Sequence, residues 1–278
     1  MKVSFLPYLL FLFISCTKAI DVPIPRQERK IVIESRITNF QNLPTLDKDE
    51  NNYVKINKTT YLNGSDIYFI PGANVSVIEE NTGTVFPYEQ FFYLSYIPVQ
   101  NFAGKAGNTY TLNIKVGDSI YTATDKMPNL CTIDSMYVTY LEQGYSLLQN
   151  AEGYYLHVLF RDNPSEKNYY RYKIGSDNSF TPTINSIDFL DIFDVKFLNS
   201  TQNIIIVPYA FTSGDVIYFE LQSLSFKAYD YYRGLNLLLT SDGGFFTTPP
   251  ANPTSNISNG ALGFFMATQI STGTLTVP

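Results

Sequence analysis

TYTLNIKVGDSIYTATDKMP, from Thr109 to Pro128, is the stretch that settles how this chain folds. Apolar and polar residues alternate along TYTLNIKV and again along SIYTAT, which puts one face of each run on a core. Between them Val116-Gly117-Asp118-Ser119 is the cleanest hairpin signal in the sequence. The same period-two pattern occupies KIVIESRIT from Lys30, YVKINKTTYL from Tyr53, ANVSVIE from Ala73 and FFYLSY from Phe91. Turn chemistry separates these runs at Pro71-Gly72, Asn81-Thr82-Gly83 and Ala106-Gly107-Asn108. Six or seven short strands in about 100 residues predict an immunoglobulin-like β-sandwich over residues 30–128.

Met127-Pro128-Asn129-Leu130 breaks the pattern and marks a boundary. Beyond it TIDSMYVTY from Thr132, YYLHVLFR from Tyr154 and YYRYKIG from Tyr169 read as strands, the last two joined by a hydrophilic hairpin loop, Asp162 to Asn168. NIIIVP from Asn203, VIYFELQ from Val216 and an alternating closing strand, Leu262 to Ile270, follow. One segment departs from this. Leu224, Ala228, Tyr231, Leu235 and Leu238 recur at steps of four and three, predicting an amphipathic helix over Ser223 to Leu239. Ser223 or Ser225 can cap its start, and Gly243-Gly244 can end it. Gly234 inside it costs about 1 kcal/mol relative to alanine. The predicted class is all-β, with a second β-sandwich or barrel-like domain over residues 129–278.

The 278 residues are 45% hydrophobic and 15% aromatic but only 16% charged, the opposite of a disordered composition. Nineteen Lys and Arg against 25 Asp and Glu give a net charge of −6. No basic stripe is present to neutralise phosphates, so nucleic acid is not an expected partner. His157 is the one histidine, and Cys16 and Cys131 are the two cysteines, which excludes His-rich or Cys-rich zinc sites.

The amino terminus reads as a targeting segment. Lys2 precedes the apolar run Phe5 to Ile14, which is too short to span a bilayer but suits a secretory signal over residues 1–15. Phe13-Ile14-Ser15-Cys16 looks like a bacterial lipobox, with Cys16 as the acylated residue and Phe13 where leucine is commonest. The alternative is ordinary cleavage after Thr17-Lys18-Ala19. Residues 16–29 read as a tether, extended in part by Pro23 and Pro25.

Candidate chemistry is sparse. Cys131, opening a strand, reads as a small buried hydrophobe rather than a nucleophile. His157 could act as a general base, but no G-x-S-x-G elbow presents a serine, so a packed strand histidine is expected. Asp188, Asp191 and Asp194 stand three apart and on a helical turn would share a face, either as cation ligands or as a solvated acidic surface. A glycosidase would need two carboxylates about 5–10 Å apart across a cleft, which spacing in sequence cannot reveal. The block PANPTSNISNGALGFFMA, from Pro250 to Ala267, reads as a loop of fixed shape against a sheet end, with ligand contact as the alternative. No catalytic residue, cofactor or metal site is predicted.

The chain resembles a known family through the lipobox cysteine and blocks that run in order over nearly its whole length. These are PGANVSV (Pro71–Val77), GNTYTLNIKVGDSIYTATDKMP (Gly107–Pro128), IDS (Ile133–Ser135), FRDNPSEKNYYR (Phe160–Arg171), GDVIYFELQSLS (Gly214–Ser225) and the PANPTSNISNGALGFFMA block. The family is the Bacteroidota outer-membrane lipoprotein family, domain of unknown function 4249. The resemblance implies an outer-membrane lipoprotein, often encoded beside TonB-dependent receptors, with no settled activity. Only Cys16 maps to a functional position, as the lipid attachment site. The expected function is therefore a non-enzymatic, lipid-anchored cell-envelope protein, an accessory or binding partner of a TonB-dependent outer-membrane transporter. The alternatives are a surface adhesin or glycan-binding lipoprotein, and a carboxylate-dependent glycoside hydrolase.

Overall fold

The computed structural model describes residues 28–41, 52–60, 68–91, 95–142, 152–163, 165–176, 192–194, 202–240 and 251–278. The chain is mainly β, with one helix, two sheets and no closed barrel among the described residues. The strands are β1 (Ile31–Thr38), β2 (Tyr53–Lys58), β3 (Tyr68–Phe69), β4 (Asn74–Glu79) and β5 (Thr84–Phe91). Then come β6 (Ser95–Pro98), β7 (Thr109–Val116), β8 (Ser119–Lys126), β9 (Thr132–Leu141) and β10 (Gly153–Arg161). β11 (Tyr169–Ser176), β12 (Ile192–Asp194), β13 (Gln202–Phe211), β14 (Val216–Leu224), α1 (Phe226–Thr240) and β15 (Leu262–Thr276) complete the chain.

The TYTLNIKV…SIYTAT hairpin forms as its pattern dictates. β7 and β8 pair from Thr109↔Lys126 to Val116↔Ser119, and Gly117 takes φ +58° in the two-residue turn, a backbone only glycine adopts freely. Tyr110, Leu112 and Ile114 point into a core with Ile33, Ile56 and Val77. That core gathers residues from β1 to Met127 and is completed from the far end of the chain by Ile257, Ala261, Phe265 and Ala267.

The larger sheet runs β12-β11-β14-β15-β1-β2-β6-β5-β4-β7-β8, with β3 on β2, and the smaller runs β13-β10-β9. β10 and β11 therefore do not form the expected hairpin: the loop between them carries the chain from one sheet to the other. β15 joins the two sequence halves within the larger sheet. Its first part pairs parallel with β1, Val32↔Leu262 to Thr38↔Thr268, and its second part antiparallel with β14, Ser223↔Gln269 to Val216↔Thr276. A second core, with Leu156, Val158 and Phe160 of β10 and Ile217, Phe219 and Leu221 of β14, lies between the two sheets.

The closing strand is not half-exposed as its predicted alternation would require. Gly263 to Ile270 are all buried, because Phe265 and Ala267 face the first core while Phe264 and Met266 lie under α1 with Tyr169, Leu224 and Ala228. Where neighbouring strands do not reach it, asparagine side chains take their place. Ile270 N donates to Asn39 Oδ1 at 2.7 Å while Asn39 Nδ2 donates to Ile270 O at 3.1 Å. Asn256 holds Phe265 in the same two-way fashion. A primary amide carries both donor and acceptor, so one side chain satisfies both backbone groups.

The helix begins later than predicted. Ser223 and Leu224 finish β14, since Ser223 pairs with Gln269 and its Oγ accepts from Cys131 N at 3.1 Å. Ser225 is the cap: Ala228 N donates to its Oγ at 3.1 Å and Tyr229 N to its carbonyl at 3.0 Å. The Gly243-Gly244 stop lies outside the described residues. Gly234 has a packing reason: a Cβ there would sit 3.2 Å from Pro253 Cα, so its absence lets the chain before β15 cross the helix closely.

Candidate functional site

The crossing of α1 by the segment before β15 builds a concave site. From Ser255 onward this segment is tied down along its length. Phe265 N donates to Asn256 Oδ1 at 2.9 Å, and Asn256 Nδ2 returns a bond to Phe265 O at 2.8 Å. Ile257 bridges Ala123 of β8, and Ser258 N donates to Thr122 O at 2.8 Å while Ser258 Oγ accepts from Thr122 N at 2.8 Å. Asn259 and Gly260 then turn the chain with φ of +57° and +69°. The fixed-shape reading of the PANPTSNISNGALGFFMA block is what these bonds produce.

Between this loop, β8 and the first turn of α1 lies an open groove of about 500 Å³. Thr122 and Thr124 supply one wall, Thr254 to Ser258 the other, and Phe226, Lys227 and Asp230 of α1 the end, with Phe264 beneath. Its lining mixes hydroxyl and amide groups with apolar surface from Ala123, Phe226, Ile257 and Phe264. Phe226 is 57% exposed, its ring tilted against that of Tyr169 at 5.5 Å. Asp230 is the one carboxylate in the lining, and its Oδ1 lies 2.8 Å from Arg233 Nη2. Asp125, the next residue of β8 after Thr124, is buried; that burial pushes its carboxyl up to about 6, against a hydrogen bond from Ala267 N at 2.9 Å. It serves to join β8 to β15.

The other candidates lie apart from the groove. Cys131 is buried, its Sγ donates to Arg161 O at 3.1 Å, and burial pushes the thiol up to about 12, so it packs as a neutral group. His157 sits on β10 with Nε2 2.7 Å from Thr139 Oγ1 and its ring stacked on Tyr137 at 4.7 Å; burial lowers its pKa. It is a packed strand histidine. The helical turn on which the three aspartates would share a face is not formed where the chain can be followed: Ile192–Asp194 is strand β12, with Asp194 opposite Tyr169. Pairing with the edge of β11 satisfies this backbone in a way a lone helical turn could not. Asp188, Asp191 and the lipid-attachment candidate Cys16 lie outside the described residues. Among the described residues no group of three or more His, Cys, Asp or Glu could hold a metal ion.

Of the groove residues, the loop side was signalled by its Asn, Ser and Thr content after two prolines. Phe226, Lys227 and Asp230 were missed, because in sequence they are only polar and aromatic positions of a helix. Their signal was the Ser225 cap, which marks where the first turn is exposed.

No curated protein matches the chain. The family model described as Domain of unknown function (DUF4249) matches residues 17–274, nearly the whole length. Since that match covers well over half of the sequence, the chain belongs to the family of domain of unknown function 4249.

Proposed function

We propose that this protein is a non-enzymatic, lipid-anchored binding protein of the cell envelope, held in the outer membrane through Cys16 and serving as accessory to a TonB-dependent transporter. The observation that carries the anchor is the apolar run ending in Phe13-Ile14-Ser15-Cys16, with only residues 17–30 between that cysteine and β1. Fully extended, that tether reaches at most about 50 Å, which keeps the domain beside the bilayer. Several acyl chains on one residue give a stable anchor where one would be marginal. No described helix is long and apolar enough to cross a membrane.

Binding rather than hydrolysis is supported by the groove, whose lining offers one carboxylate where a glycosidase requires two. The exposed Phe226 ring favours the glycan-binding alternative as a second reading. Metabolic labelling with a tagged palmitate should mark the full chain and leave Cys16→Ala unlabelled. Co-purification from native membranes should recover a TonB-dependent barrel. An unacylated product beginning at Ile20, or a preparation free of any such barrel, overturns the proposal.

A further inference from the structure

We infer that the groove between α1, β8 and the Thr254–Ser258 loop is a binding site for a short neutral oligosaccharide, one sugar ring lying on the face of Phe226. This rests on the reading of the chain as a binding protein, and not on its anchor or its transporter.

The volume, about 500 Å³, falls within the roughly 300–1,000 Å³ of small-ligand sites, and the groove is open to solvent rather than enclosed, which suits a chain rather than a sequestered metabolite. The charge pattern narrows the ligand class. Among the described residues, Lys227 and Asp230 are the only charged side chains of the lining, one of each sign. A phosphate or an acidic sugar would need an excess of cations, and a divalent cation would need several carboxylate oxygens. A neutral ligand needs neither.

The polar atoms present suit hydroxyl groups. Ser255 Oγ accepts from Ile257 N at 3.1 Å and retains its own proton to donate. Asp230 keeps lone pairs beyond the one facing Arg233, and a vicinal diol can donate to a carboxylate. The side chains of Thr254 and Lys227 make no hydrogen bond among the described residues. Phe226 supplies the apolar half of the recognition. It opens the helix at 57% exposure, with the Tyr169 ring 5.5 Å away and Lys167 Nζ 6.0 Å from the ring centre, at the limit of contact, so that a sugar would share the ring's surroundings with that ammonium. The electron-rich face of such a ring attracts the C–H face of a pyranose. The wall is preformed, since Asn256 and Ser258 are already bonded to the sheet, so little ordering is lost on binding.

The test is an array of neutral glucan, mannan, xylan and chitin oligosaccharides, with oligogalacturonate as the acidic comparison, probed with the full chain in detergent. Binding to at least one neutral series is expected, followed by titration calorimetry on that oligosaccharide. Phe226→Ala should weaken it at least about tenfold, while Phe226→Tyr should stay within about threefold. Ile206→Ala, at a 52% exposed position on the smaller sheet, should leave it unchanged. Silence across the neutral series, binding to oligogalacturonate alone, or affinity indifferent to Phe226→Ala would each overturn the site. Any of these leaves the anchor standing on its palmitate label, and loss of that label leaves the groove standing.

Discussion

Replacing Asn256 tests whether one side chain stands in for a missing strand. Its amide accepts from Phe265 N at 2.9 Å and donates to Phe265 O at 2.8 Å, on a residue whose own side chain is fully buried. Asn256→Ala removes both bonds. At about 1 kcal/mol net for each, and more where the freed peptide groups find no water, the loss should be about 2–3 kcal/mol. Asn256→Asp is the sharper variant. Its carboxylate can still accept from Phe265 N, but at neutral pH it sets a second oxygen against Phe265 O, so it should cost at least as much as alanine. When protonated, the acid can donate to that carbonyl again. The folded-state pKa of the introduced aspartate is therefore raised above the unfolded value of about 3.9. A raised folded pKa means that its stabilising form is complete below the unfolded value and is lost as pH rises through the folded one. The deficit of Asn256→Asp relative to the parent should thus shrink on acidification, while that of Asn256→Ala stays level. Urea melts followed by tyrosine fluorescence, the chain having no tryptophan, at neutral and mildly acidic pH measure both. An alanine variant within about 0.5 kcal/mol of the parent, or an aspartate deficit that ignores pH, would refute the strand-surrogate argument.

Glu79 gives a second pH-linked outcome. Thr82 donates to its Oε2 at 2.7 Å, and Asn108 and Tyr110 to its Oε1 at 2.7 and 3.1 Å, tying two turns to β4 and β7. The Thr82 bond chiefly, with help from Asn108, Tyr110 and Lys105 and against the cost of burial, holds its pKa below the ordinary 4.5. A lowered folded pKa contributes stability above the unfolded value and loses it as pH falls through the folded one, so Glu79→Gln should cost about 2 kcal/mol at pH 7 and progressively less in acid. A gap between the two melting curves that stays constant with pH would count against this. Gly263 tests the junction of the sequence halves: it holds φ +95°, and a Cβ would fall 2.0 Å from the Ile33 carbonyl oxygen in the neighbouring strand. Gly263→Ala should cost about 3 kcal/mol or more and speed amide exchange along β1 and β15, whereas Gly72→Ala, at φ +72° in open space, should cost only about 1 kcal/mol. Equal effects from the two alanines would remove the close approach as the cause.

Much of the local structure could be read directly. The β7–β8 hairpin and a serine cap, with Ser225 filling it of the two serines offered, rest on residues within a few positions of each other. The helix start slipped to Phe226 because Ser223 had a partner that periodicity ignores, the backbone of Cys131. The groove was half visible in the Asn- and Ser-rich loop. The helix end contributes Phe226 and Asp230, and nothing within the helix announces that the chain beyond it will return across Gly234.

Alternation along each strand, turn residues between strands and a serine before the helix were enough to determine the mainly β class and most strand positions, because side-chain period and turn geometry act over a few residues. Which strands pair was decided only in the folded molecule. Backbone ladders are nearly blind to side-chain identity, so nothing in Ile31–Thr38 names Leu262–Thr268 as its parallel neighbour, far along the chain. That pairing, with a core on one side of β15 and α1 on the other, buries both faces of the strand, places Asn256 at its open edge and brings three distant segments together around the groove.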